Sequence, residues 1–165
     1  MRREICGSCE KEAKVIRGNY RFDEVGLPVL LKHVELVKCE HCGNVDPIIP
    51  DLNGLMHVIA FAVISRPCKL GGQEIKFLRK YLGMNGEEFA GILDIDRTTL
   101  SKWENGQDIG PQSDRLIRLL VLNKSTELRK HVEEMMRRFS SITDCDHPPK
   151  SQLNIDPRTR EYEYA

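Results

Sequence analysis

Residues 78–106, LRKYLGMNGEEFAGILDIDRTTLSKWENG, constrain the fold of this chain more than any other stretch. Asn85 suits an N-cap, because its side-chain oxygen can accept from an orphan backbone N–H, and Glu88 can reach back as in a capping box. Phe89, Ala90 and Leu93 then form the inner face of a short helix, with the small Ala90 where a neighbouring helix must come close. Asp94 and Ile95 make the turn; glycine takes a left-handed conformation most easily there, and aspartate tolerates it better than most residues. Asp96 is expected to cap the next helix. On that helix Leu100 and Trp103 share one face, while Arg97, Thr98, Ser101 and Lys102 point away. Thr98 and Lys102 are four apart, so they lie one above the other and can enter a groove together. Asn105-Gly106 ends the helix with a left-handed residue. Two short amphipathic helices joined by a tight turn, the second with donors on its outer face, are how a helix-turn-helix reads DNA. The competing reading is an ordinary helical bundle with a solvated polar face. Chance amphipathicity does not supply the caps, the small residue, the turn and the WENG ending in this order.

Upstream, four of the six cysteines form C-G-S-C (Cys6, Cys9) and C-E-H-C (Cys39, Cys42). Two such tight turns can aim four thiolates at one ion, and tetrahedral Zn2+ suits that set. Gly7 and Gly43 are expected to let backbone amides approach the sulfurs. Disulfides, a redox CxxC or iron are the alternatives; a thioredoxin-like reading lacks its βαβ context. The segment between the pairs looks like β structure, over residues 17–23 and 29–37, with GLP at residues 26–28 as the break. A sheet this small needs a staple, and the ion supplies one. His41 reads as a solvent-facing spacer. Cys68 and Cys145 have no partner at ligand spacing and read as structural or incidental.

Leu55, Val58, Ile59, Ala62 and Val63 recur at helical spacing and predict an amphipathic connecting helix, ended by Arg66-Pro67. A further helix over residues 111–122 should close the core through Leu116, Ile117, Leu119 and Leu120. Leu128, Val132, Met135 and Phe139 then form a stripe that either packs on the domain or joins a dimer contact. Beyond Ser140 the chain is polar and proline-bearing; little fixed structure is expected, apart from a short strand at residues 153–155. The chain has 165 residues with 25 basic against 25 acidic, so any field for DNA must come from local arrangement. No apolar run reaches transmembrane length, and MRREIC leads directly into a cysteine motif without a signal peptide; a cytoplasmic protein is expected.

Over roughly residues 73–122 the chain resembles the Cro-repressor-like (XRE) helix-turn-helix family. The resemblance implies an internal pair between Arg79 and Glu104, base contacts from Arg97, Thr98 and Lys102, and backbone contacts near Asn85 and Asn105. Two departures weaken the implied phosphate grip: Gly86 stands where the family often has glutamine, and Gln107-Asp108-Ile109-Gly110 where it often has basic residues. The whole order, with CGSC, GLP, CEHC, EIKFLRKYLG and TTLSKWENG, resembles the YgiT-type zinc-finger regulators, whose best-known branch is the MqsA-type antitoxins, over roughly residues 6–122. That family implies a homodimer on palindromic operator DNA. In the antitoxin branch it also implies a toxin, a small ribonuclease, held by the N-terminal module.

The expected architecture is α+β. A zinc-bound β module (residues 1–50) precedes a connecting helix and linker (51–70) and a five-helix XRE-type helix-turn-helix domain (71–124). A C-terminal helix (125–140) and a flexible tail (141–165) follow. The expected function is a sequence-specific DNA-binding transcriptional regulator, expected to repress, with Arg97, Thr98, Ser101, Lys102, Asn85 and Asn105 at the DNA and Cys6, Cys9, Cys39 and Cys42 on a structural Zn2+. The alternative is an antitoxin that neutralises a ribonuclease toxin and represses its own operon. An enzyme is not expected, since four cysteines leave zinc no open position and no catalytic motif is visible.

Overall fold

The computed structural model describes residues 2–124 and 152–164. The chain divides into two compact units: Met1–Glu24, Pro28–Leu55 and Ser151–Ala165 form one, Val25–Leu27 and Met56–Lys150 the other.

The first unit is built on one sheet, with strands β1 (Arg3–Ile5), β2 (Glu12–Arg21), β3 (Val29–Lys38), β4 (Val45–Ile48), β5 (Leu153–Ile155) and β6 (Tyr162–Tyr164). β1 pairs antiparallel with β2, β2 with β3, and β3 with β4. Each CxxC is therefore the turn of a hairpin, and the antiparallel β2–β3 pairing brings both turns to the same end. β3 buries Val29, Leu31, Val34 and Leu36. That series changes phase between Leu31 and Val34, and a bulge absorbs the change: Gly18 pairs with Val34, whereas Tyr20 pairs with Leu31. His33 sits in it at φ 53. One extra residue restores the inward face that a regular strand would have lost.

The far edge of β3 is shared. β4 covers residues 35–38, and β5 runs parallel to residues 29–31, with Val29 opposite Leu153 and Leu31 opposite Ile155. β6 then pairs with β5. A short strand at residues 153–155 is thus present, but the expected flexible tail is corrected over residues 152–164. Leu153 and Ile155 bury 97 and 100 % of their surface because β3 offers them an open edge and an apolar face. The expected module of residues 1–50 thereby gains a C-terminal hairpin. The expected helix at 125–140, its apolar stripe and Cys145 lie outside the described residues.

Five α-helices are described: α1 (Leu52–Ser65), α2 (Gly72–Tyr81), α3 (Gly86–Ile92), α4 (Arg97–Glu104) and α5 (Pro111–Lys124). Asp51 caps α1 by accepting from the Gly54 amide at 2.8 Å. α1 is amphipathic as expected only in its first half, where Asn53 and His57 are exposed opposite buried Leu55 and Ile59; from Ala60 on, Ala60 and Ile64 are as buried as Ala62 and Val63, so its C-terminal end is enclosed on more than one side. No described helix is long and apolar enough to cross a membrane.

α5 also differs from its expected face. Ile117, Val121 and Leu122 are buried, while Leu116 is 38 % exposed. The helix turns inward on Asp114 and Arg118 instead. Arg118 is fully buried and donates to the carbonyls of Ile64 (2.6 Å), Arg66 (2.8 Å) and Cys68 (2.6 Å), and to Asp114 Oδ1 (2.6 Å). Asp114 also accepts from the Leu70 amide at 2.7 Å. The pair thus satisfies the backbone of the α1–α2 connection, which could not otherwise be buried.

Candidate functional site

The candidate metal centre comes from two hairpin turns of the same geometry. The Cys6 amide donates to Lys11 O and the Glu10 amide to Cys6 O; likewise the Cys39 amide donates to Asn44 O and the Gly43 amide to Cys39 O. The fourth residue after each leading cysteine is left-handed, Glu10 at φ 58 and Gly43 at φ 77. Gly43 takes the left-handed place in the second turn and Glu10 in the first; a side chain at either Gly7 or Gly43 would meet nothing, so the close approach expected to require both glycines does not depend on missing side-chain bulk.

The four sulfurs lie within 4.8 Å of one another, with Cys6–Cys42 and Cys9–Cys39 both at 3.6 Å. Zinc with Zn–S bonds of about 2.3 Å spaces tetrahedral sulfurs about 3.8 Å apart, so the donor set fits that ion. The backbone favours thiolate at two sites. Cys39 is lowered to about 7 by the Cys42 amide, against burial and with help from the His41 amide. Cys6 is lowered by the Ser8 and Cys9 amides. Cys42 goes the other way, to about 12: the Asn44 amide lowers it, but burial and hydrogen bonds with its three thiol neighbours outweigh that. Four thiols this close do not all ionise by themselves; a bound divalent cation would compensate the charge. Cys6 and Cys39 are 1 % exposed and pack with Ala13, so the site closes the end of the sheet. His41 is exposed, as a spacer would be.

The second site is the α3–turn–α4 unit. Asn85 Oδ1 accepts from the Glu87 and Glu88 amides at 2.9 and 3.0 Å, and Glu88 accepts from the Asn85 amide at 2.9 Å, which is the expected capping box. Asp94 takes φ 53 in the turn. Phe89 and Ala90 of α3 and Leu100 and Trp103 of α4 are buried. Asp96 holds the N-cap position of α4, but its side chain makes no capping hydrogen bond, which corrects its expected role. Gly106, at φ 102, ends the helix, and the Asn105 side chain donates to Ser101 O at 2.7 Å.

Arg79 of α2 makes a two-pronged pair with Glu104, at 2.6 and 3.3 Å, and donates to Met84 O at 3.1 Å. That locks the end of α4 to α2 and to the loop before α3. A close contact reinforces it: a methyl built on Gly72 would lie 2.5 Å from Trp103 O and 2.7 Å from Glu104 O. Arg97, Thr98 and Lys102 are exposed along α4, and Ser101 is half-buried beside Asn105. The expected site residues therefore separate. Arg97, Thr98 and Lys102 have outward side chains, whereas those of Asn85 and Asn105 are engaged in helix ends. Gly72 and the Asp114–Arg118 pair escaped the sequence reading; the i,i+4 spacing of Asp114 and Arg118 was the available signal.

No curated protein and no solved structure matches the chain. Residues 72–123, the stretch that forms α2 to α5, match a family model described as a helix-turn-helix domain.

Proposed function

We propose that the protein is a sequence-specific transcriptional regulator, acting as a repressor, that reads operator DNA with α4 and carries a structural Zn2+ on Cys6, Cys9, Cys39 and Cys42. The observation that carries this reading is the exposed row of Thr98 and Lys102, backed by buried Leu100 and Trp103 on a helix that Arg79 and Glu104 lock in place. Such a helix can lie in the major groove without distortion of its support. Four thiolates fill the zinc coordination shell, which favours a structural ion over a catalytic one. A homodimer would place two copies of α4 on half-sites about 34 Å apart. Nothing among the described residues favours the antitoxin role that the resemblance implies.

The test is selection of duplexes from a randomised library, followed by binding of the selected and scrambled sequences. Thr98→Ala and Lys102→Ala should each lower the specific-to-nonspecific ratio; a good bidentate base contact carries on the order of 1–3 kcal/mol of discrimination. Unchanged ratios in both variants would remove α4 as the reading element.

A further inference from the structure

We propose that Arg97 is a phosphate clamp seated on Gly86, and not a base reader; this rests on the DNA-reading role of α4. A methyl built on Gly86 would collide with Arg97 Nε and lie 2.6 Å from Cζ and 2.8 Å from Nη2. The guanidinium thus lies against bare backbone, in space that is open only because residue 86 has no side chain. Gly86 is the first residue of α3. In a helix-turn-helix the first helix crosses the DNA backbone while the second enters the groove, so a group resting on the start of α3 is placed toward the sugar-phosphate chain.

Arg97 departs in this from Thr98 and Lys102, which project from the exposed side of α4 itself. Among the described residues it has no carboxylate partner, so its charge is not spent inside the protein. Its planar fork suits bidentate contact with phosphate oxygens. The geometry also accounts for the glycine at residue 86: an arginine from the following helix takes the place that a longer side chain there would fill. Phosphate contacts set register and affinity but carry no sequence information.

The experiment titrates salt on a duplex selected from a randomised library by the wild-type protein, and on a scrambled duplex of equal length. Arg97→Ala should weaken binding to both by the same factor and reduce the slope of log affinity against log salt by about 0.9 for each phosphate lost. Gly86→Ala should displace the guanidinium and reproduce that loss, with no further loss in the double variant. Arg97→Lys should keep the slope but lose affinity, because it keeps the charge and not the fork. A fall in the selected-to-scrambled ratio with an unchanged slope would make Arg97 a base reader and overturn the clamp. Additive losses in the double variant would overturn the seat. Failure of the DNA-reading role has a separate signature: the wild-type protein selects no sequence, or Thr98→Ala and Lys102→Ala leave the ratio unaltered.

Discussion

Replacing Arg118 by methionine tests what holds the helix-turn-helix domain together. The guanidinium reaches the Ile64 carbonyl in the last turn of α1 and two carbonyls of the α1–α2 connection at 2.6 to 2.8 Å, and Asp114 at 2.6 Å, with side-chain exposures of 0 and 1 % for the pair. Methionine restores much of the volume but none of the donors. Asp114 keeps only the Leu70 amide and is left as a buried charge without its counter-ion. Removing one partner of a buried pair costs about 3–5 kcal/mol. Domains have roughly 5–15 kcal/mol in total, and each kcal/mol moves Tm by about 4–8 °C in a domain of 60–100 residues. The helical transition, followed by circular dichroism at 222 nm, should therefore fall by roughly 12–40 °C. Asp114→Leu combined with Arg118→Met removes the stranded charge as well and should recover part of the loss. A single variant that melts within a few degrees of wild type, or a double variant less stable than the single, would refute the argument.

Two further outcomes follow from the geometry. Stripping the metal with a chelator should abolish amide protection in β2 and β3, and with it at Leu153 and Ile155, while α2 to α5 stay protected; helices that lose protection at the same chelator concentration would show that the units are not independent. Acidification should release the metal as well, because each ligand must be deprotonated to bind, so retention falls as pH drops. Gly72→Ala should cost roughly 1–3 kcal/mol in thermal melts, since the added carbon meets backbone carbonyls of α4 that cannot rotate aside. Gly91→Ala is the control: it lies in α3 with nothing within 4 Å, and should instead gain up to about 1 kcal/mol.

The features legible in the sequence are those that depend on near neighbours. The Asn85 capping box, the left-handed Asp94, the Asn105-Gly106 ending and both CxxC turns each involve a few consecutive residues, and each is found. The Arg79–Glu104 pair spans 25 positions and was reached only through resemblance. What stayed hidden depends on distant partners. The short strand at residues 153–155 was expected, but its parallel pairing with β3, more than a hundred residues earlier, and the β6 strand that completes the hairpin were not, because nothing in three residues names the edge they join. Glu10 looks like a surface acid until the hairpin pattern shows that it matches Gly43. Leu116 was expected inside and is exposed, while the neighbouring Arg118 is buried; hydropathy alone assigns a guanidinium to the surface and so could not find it.

Charge decides how such a domain can use its reading helix. Over residues 72–124 there are eight basic and eight acidic side chains. Arg79, Glu104, Asp114, Arg118 and Glu74 are held in internal pairs. The exposed remainder is Lys76, Lys80, Arg97, Lys102, Arg115 and Lys124 against Glu87, Glu88, Asp94, Asp96 and Asp108. A surface so nearly neutral neither steers DNA from a distance nor displaces many counterions. Weak phosphate attraction also lowers nonspecific binding, since that term supplies nearly all of it. The domain can thus keep a useful specificity ratio on few contacts, provided that Thr98 and Lys102 supply the base discrimination. In the proposed homodimer, absolute affinity would come from joining two such readers, because the second binding event becomes intramolecular and gains a high effective concentration without any added charge. A single domain should accordingly show a shallow salt slope, and the joined pair about twice that slope. A steep slope from a single copy would contradict this division of labour and point to basic residues outside residues 72–124 at the duplex.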